Sequence, residues 1–177
     1  MKEAPVSTMR LTMALLFAAV LVSSGPAVAQ APSQADANRA VVRRAFAALD
    51  KGDVTELNAV FDPKGPIHST HGTTTLQGGP FTELKDSCPM CAALSHRKIT
   101  VDMTVSEGDL IVVRSTWSGD YTGTIRGMSI AGKPVRIVYT NIYRIAGGRI
   151  VENWYQTNGI DLADQLGLKL VAQPGSK

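Results

Sequence analysis

A block of one charge is what this sequence most plainly lacks. Its 18 Lys and Arg stand against 15 Asp and Glu in 177 residues, for a formal net of +3. There is no Lys/Arg-rich run set with stacking aromatics, which excludes the nucleic-acid-binding classes that track a phosphate backbone. Cysteine is nearly missing, with Cys88 and Cys91 the only two, and histidine is confined to His68, His71 and His96. No spacing among them matches a recognised metal-ligand pattern, so neither a metal nor another cofactor is expected. Long hydrophobic runs are limited to one, at residues 11–22, shorter than the roughly 20 apolar residues of a spanning helix.

That run carries a different meaning. Lys2 and Arg10 precede it, and Ser23, Ser24, Gly25 and Pro26 end it ahead of Ala27, Val28 and Ala29, a small-x-small cleavage pattern. Residues 1–29 therefore read as a signal peptide cut after Ala29, and the mature chain as periplasmic or secreted. A retained N-terminal anchor is the alternative. No cysteine follows the small residues to carry a lipid, and no second membrane segment appears. Removing Lys2, Glu3 and Arg10 leaves a formal charge of about +2. Residues 30–38 read as a linker, 39–168 as one domain, and 169–177 as a disordered tail.

Within the domain, Val42, Phe46 and Leu49 recur at helical spacing up to Gly52, and Asp53 with Glu56 opens a second helix ended by Pro63. A short strand is expected at 66–70, then a loop marked by Gly72, Gly78, Gly79 and Pro80. A third helix, interrupted near Cys88 and Cys91, is expected at 81–94. Beyond His96 the period becomes two: Ile99, Val101, Met103 and Val105 alternate with Thr100, Asp102 and Thr104. Strands at 110–117, 132–145 and 149–157 complete a meander, with Gly147 and Gly148 as a two-residue turn. Helices first and a meander afterwards define an α+β domain.

The order of these pieces resembles a known family. FAALDKGD at 46–53, His68, EGD at 107–109, TWSGDYTG at 116–123, GK at 132–133, GRIVENW at 148–154 and QLG at 165–167 follow its layout. The chain resembles the SnoaL-like polyketide cyclase or ester cyclase branch of the nuclear transport factor 2-like superfamily. The resemblance implies a cone-shaped fold, a curved, mostly antiparallel sheet wrapped around N-terminal helices. It also implies a cavity between sheet and helices, and frequent pairing through the sheet, which makes a homodimer a candidate assembly.

The Gly147–Gly148 turn gives a register, and opposed residues share a face. Counting from it sets Tyr143 against Glu152, Asn141 against Trp154, Tyr139 against Gln156 and Ile137 against Asn158. One face then holds Tyr139, Asn141, Tyr143, Trp154, Gln156 and Asn158; the other holds Val138, Thr140, Ile142, Val151 and Tyr155. With Trp117, the first set is the expected wall of a pocket for a small, largely apolar molecule.

In the resembling cyclases an aspartate seven residues before the Gln-Leu-Gly motif works as acid/base. Asn158 stands there in this chain, and Tyr121 stands where the family's Gly-Thr-His-x-Gly motif has histidine. An amide cannot accept a proton in the working range but can donate to an oxyanion. His68 is left as the candidate general acid/base, with Tyr121 and Asn158 as oxyanion donors. Asp120 should point away from Tyr121 in a regular strand. The competing readings are a non-catalytic binding protein and, in third place, a redox or metal protein. For the last, export favours a Cys88–Cys91 disulfide, and His96 close by offers a zinc or copper alternative.

Overall fold

A computed structural model describes residues 33–69, 72–75, 80–125 and 127–169. The expected signal peptide, residues 30–32 of the expected linker and nearly all of the tail lie outside them, as do His71, Gly78 and Gly79; the rest of that linker, from Gln34, is already helical. Helix α1 (Gln34–Lys51) starts where the Ser33 hydroxyl accepts the Asp36 N–H and ends at Gly52, whose φ of 74° supplies the left-handed cap. Helix α2 (Val54–Val60) begins at Asp53, whose carboxylate accepts the Glu56 N–H. Both helices point apolar residues at the sheet: Val42, Ala45, Phe46 and Leu49 from α1, Leu57 and Val60 from α2.

Strand β1 (Pro66–Ser69) is followed by β2 (Gly72–Thr75), where only a loop was expected. The expected third helix resolves into two short pieces, α3 (Leu84–Ser87) and α4 (Pro89–Ala93), split at Cys88. Then come β3 (Leu94–Glu107), β4 (Leu110–Ile125), β5 (Met128–Ala146), β6 (Arg149–Thr157) and α5 (Gly159–Gln165). The sheet order is β2-β1-β6-β5-β4-β3, with β1 parallel to β6 and every other pair antiparallel. Among the described residues no helix is long and apolar enough to cross a membrane.

The expected register fails two pairs past the turn. Gly147 and Gly148 have φ of 57° and 74°, as a type I′ turn requires. Ala146 opposes Arg149 and Ile145 opposes Ile150, but Arg144 then opposes Glu152, leaving Val151 as an extra residue in β6. From there every β6 side chain is moved to the other face: Tyr143 meets Asn153, Asn141 meets Tyr155 and Tyr139 meets Thr157. The cause is tertiary. Phe61 bridges to Ile150, the Asp62 N–H bonds the Ile150 carbonyl at 2.8 Å, and a Cβ at Gly65 would lie 2.5 Å from the Val151 carbonyl oxygen. The chain between α2 and β1 presses on the start of β6, and the bulge is how β6 yields.

Candidate functional site

A cavity of about 890 Å³ lies between the inner face of the sheet and the helices. Tyr139, Asn141 and Tyr143 of β5 line it with Asn153, Tyr155 and Thr157 of β6, and Trp117 of β4 joins them. Leu49 and Phe61 close its helical side, and residues 86–90 and the face of α5 around Leu162 and Ala163 border it. The wall is aromatic and tightly packed: Trp117 and Tyr139 rings are 4.8 Å apart, Tyr139 and Tyr155 6.3 Å, and Tyr143 meets Phe46 and Phe61 edge-on.

Helix α5 is docked by the Gln-Leu-Gly motif. The Gln165 side chain accepts the Arg136 N–H at 2.7 Å and donates to the Arg136 carbonyl at 2.9 Å, while Lys133 Nζ donates to the Leu166 carbonyl at 2.7 Å. On the opposite border, Asn58 holds Phe81 through both backbone groups, and Arg97 Nη1 donates to the Cys91 carbonyl. Cys88 and Cys91 lie at disulfide distance (S–S 2.10 Å) in the segment between these anchors. Thus Cys88 sits at the cavity border and Cys91 in the core. The zinc or copper alternative finds no support there, because the two sulfurs bond one another and His96 Nδ1 is turned to Asp120 at 2.9 Å.

The polar groups of the cavity are the tyrosine phenols, two amides and Thr157, with Thr74, Asp86 and the exposed Lys169 at its border. Burial pushes the Tyr139 phenol up to about 12, with Tyr155 nearby adding to it, and burial raises Tyr143 still more. Both remain protonated at any working pH and act as hydrogen-bond donors. Asn141 Nδ2 donates to Asn153 Oδ1 at 3.2 Å, and Asn141 Oδ1 is buried without a partner among the described residues. The carboxylate on the cavity border, Asp86, accepts the Glu83 N–H, the Thr82 N–H and the Thr82 hydroxyl. Those bonds, the Glu83 backbone foremost, hold its pKa below the ordinary value, which makes it a weak base.

The residues singled out from sequence fall into two groups. Trp117, Tyr139, Asn141 and Tyr143 line the cavity; Trp154 and Gln156 do not, since the Val151 bulge turns them to the outer face. Conversely Tyr155, assigned to the opposite face by the unbulged count, comes inside. Asn158 caps α5: its Oδ1 accepts the Ile160 and Asp161 N–H groups, both at 3.1 Å. An aspartate at that position would cap equally well. Tyr121 is packed in the core and Asp120 turns outward to His96, the alternation expected of a strand.

His68 lies on the outer face. Its Nε2 donates to Glu152 Oε1 at 2.8 Å, its Nδ1 pairs with Thr73 Oγ1 at 2.9 Å, and its ring stacks on Trp154 at 5.0 Å. Arg144 lies over Trp154 at 5.6 Å and ties Glu152 to Asp109. No hydrogen bond or ring contact among the described residues joins His68, Tyr121 and Asn158, and none of the three lines the cavity. Asn153, Tyr155 and Thr157 were missed because they depend on the bulge.

Comparison with known proteins agrees with this architecture. A family model, SnoaL-like polyketide cyclase, matches residues 39–166, and the chain belongs to that family. It is similar to IdmH, a proposed polyketide cyclase from Streptomyces antibioticus (25% identity, TM-score 0.58, 74% of this chain and 99% of that one). It is also similar to a proposed SnoaL-like polyketide cyclase from Jannaschia sp. CCS1 (17% identity, TM-score 0.63, 80% and 99% covered). AclR, a proposed hydroxylase from Streptomyces galilaeus, shares the fold at 19% identity (TM-score 0.61, 73% and 95% covered). No curated protein matches significantly by sequence.

Proposed function

We propose that this domain binds a small, uncharged, largely apolar molecule in the cavity on the inner face of the sheet. The observation that carries the reading is the wall itself. It holds three tyrosines, a tryptophan and two amides, and the carboxylate at its border is already engaged by three donors. Any chemistry there works by hydrogen-bond donation from Tyr139, Tyr143 and Tyr155 to a developing oxyanion. Proton transfer by His68 is disfavoured, because both ring nitrogens are engaged away from the cavity.

The test is native mass spectrometry of the purified domain beside an Ala163→Phe variant that fills the cavity from α5. A small molecule retained by the wild type and lost from the variant is the expected result. Equal retention, or loss from neither, would place the ligand elsewhere.

Export to the periplasm or beyond belongs to the same proposal and rests on residues 11–29. Protein expressed with its own leader should begin at Gln30 by intact mass; a membrane-resident species starting at Met1 would refute it. Pairing of two copies is supported by an outer-face row in which Val105, Val112, Ile142 and Trp154 are successive cross-strand neighbours. Light scattering should find a dimer that Ile142→Glu converts to a monomer; an unchanged mass would remove the pairing.

A further inference from the structure

Four buried side-chain atoms lack a hydrogen-bond partner among the described residues: Arg97 Nε, Ser106 Oγ, Arg149 Nε and Asn141 Oδ1. The two guanidinium nitrogens belong to side chains bonded elsewhere. Arg97 reaches the Cys91 and Asp50 carbonyls, and Arg149 reaches those of Asn58 and Phe61. Ser106 lies near the far end of β3. Asn141 alone of the four lines the cavity, with 6% of its surface exposed.

A carbonyl oxygen removed from water and left unpaired is destabilising, so such atoms persist where something else answers them. The surroundings say what that something is. Tyr139 and Tyr143 flank Asn141 on the same face of β5, and Tyr155 is its direct neighbour across β6. Flat rings on three sides suit a flat, ring-bearing ligand. An acceptor accepts only from O–H or N–H, so a carboxylate, an ether or a bare hydrocarbon leaves Oδ1 unanswered. A cationic donor would be buried with no counter-charge beside Asn141, since the nearest cross-strand neighbours are Val113 and Tyr155.

We propose that Asn141 is the specificity-determining residue of this cavity, its Oδ1 accepting from a hydroxyl or N–H carried by an uncharged, ring-bearing ligand. This rests on the reading of the cavity as a ligand site and narrows it from apolar molecules in general to phenols, ring alcohols and ring amides. The Asn141–Asn153 bond gives the preference its direction: Nδ2 is engaged by Asn153, and the orphan is the acceptor.

The experiment titrates the domain with hydroxypyrene, methoxypyrene and pyrene, following probe fluorescence, for the wild type and for Asn141→Leu, which keeps the volume and removes the acceptor. Hydroxypyrene should bind wild type about tenfold more tightly than either other probe, the margin expected for one otherwise unsatisfied acceptor. In Asn141→Leu that margin should vanish while pyrene binds at least as well as before. Equal affinity for all three, or methoxypyrene equal to hydroxypyrene, would overturn the role of Asn141 and leave the cavity reading standing. A margin that survives in Asn141→Leu would overturn it too. Binding of none of the probes would instead count against the cavity reading itself, and the assignment would fall with it. Should Asn141→Leu not fold, the wild-type ranking decides alone.

Discussion

The two faces of the sheet carry similar residues and use them differently. On the outer face His68, Glu152, Arg144, Asp109 and Thr73 form one chain of hydrogen bonds, with Trp154 held between the imidazole and the guanidinium. Each side chain in that chain answers another. On the inner face the tyrosines and Asn141 surround open volume, and one buried carbonyl oxygen is unanswered among the described residues. A polar cluster complete in itself positions strands; here it ties β1 to β6, which share only two paired positions. A polar group left incomplete inside an aromatic cavity is what a ligand completes. The histidine that looks most chemical in the sequence is engaged on the outer face, and the amides between tyrosines stand at the inner cavity.

The comparison can be strained from its strongest point to its weakest. Core residues should behave unlike cavity walls. Leu57, fully buried on the inner side of α2, should cost about 2–5 kcal/mol on truncation to alanine. Tyr155→Ala, facing the cavity, should cost about 1 kcal/mol; chemical denaturation of both would show whether the wall is a wall or a core. Gly65→Ala should cost about 1–3 kcal/mol, because its new Cβ meets the Val151 backbone 2.5 Å away and backbone cannot swing aside. An unchanged denaturation midpoint would mean that Gly65 does not impose the bulge.

Reduction of the Cys88–Cys91 pair should cost at most about 2 kcal/mol, since so short a loop removes little unfolded-chain entropy. Thermal melts with and without reductant would measure it. The smallest effect belongs to the outer face. The His68 hydrogen bond, with Arg144 behind it, holds the Glu152 carboxyl below the usual glutamate range. A depressed folded pKa stabilises above the unfolded value and is lost as pH falls through the folded one. Stability should decline below about pH 4.5 and decline less in Glu152→Gln, as melting temperature against pH would show.

Much of the frame was legible because it is local. Ser33, Gly52 and Asp53 mark helix ends by chemistry that acts within four residues, and the glycine pair at 147–148 sets a turn by its own backbone freedom. Half of the cavity wall, Tyr139 to Tyr143, followed from alternation along β5. The other half did not, because one extra residue in β6 reverses every face beyond it. That residue is forced by Phe61, Asp62 and Gly65, distant in sequence and without any signature near Val151. Strand β2 was hidden for a related reason: Gly72, Thr73 and Thr74 carry no apolar alternation, and the strand exists because β1 is there to pair with. Asn158 stands where the family's pattern invites a catalytic reading, and its side chain caps α5.

The bulge decides which aromatic side chain faces the ligand, so neighbours of opposite face test the account most directly. Pyrene binding should be compared for wild type, Tyr155→Ala and Trp154→Ala, each shown to be folded by circular dichroism. The account predicts that Tyr155→Ala weakens binding by tenfold or more while Trp154→Ala leaves it unchanged. Loss of binding in Trp154→Ala with Tyr155→Ala unaffected would contradict it, and would return β6 to the unbulged register.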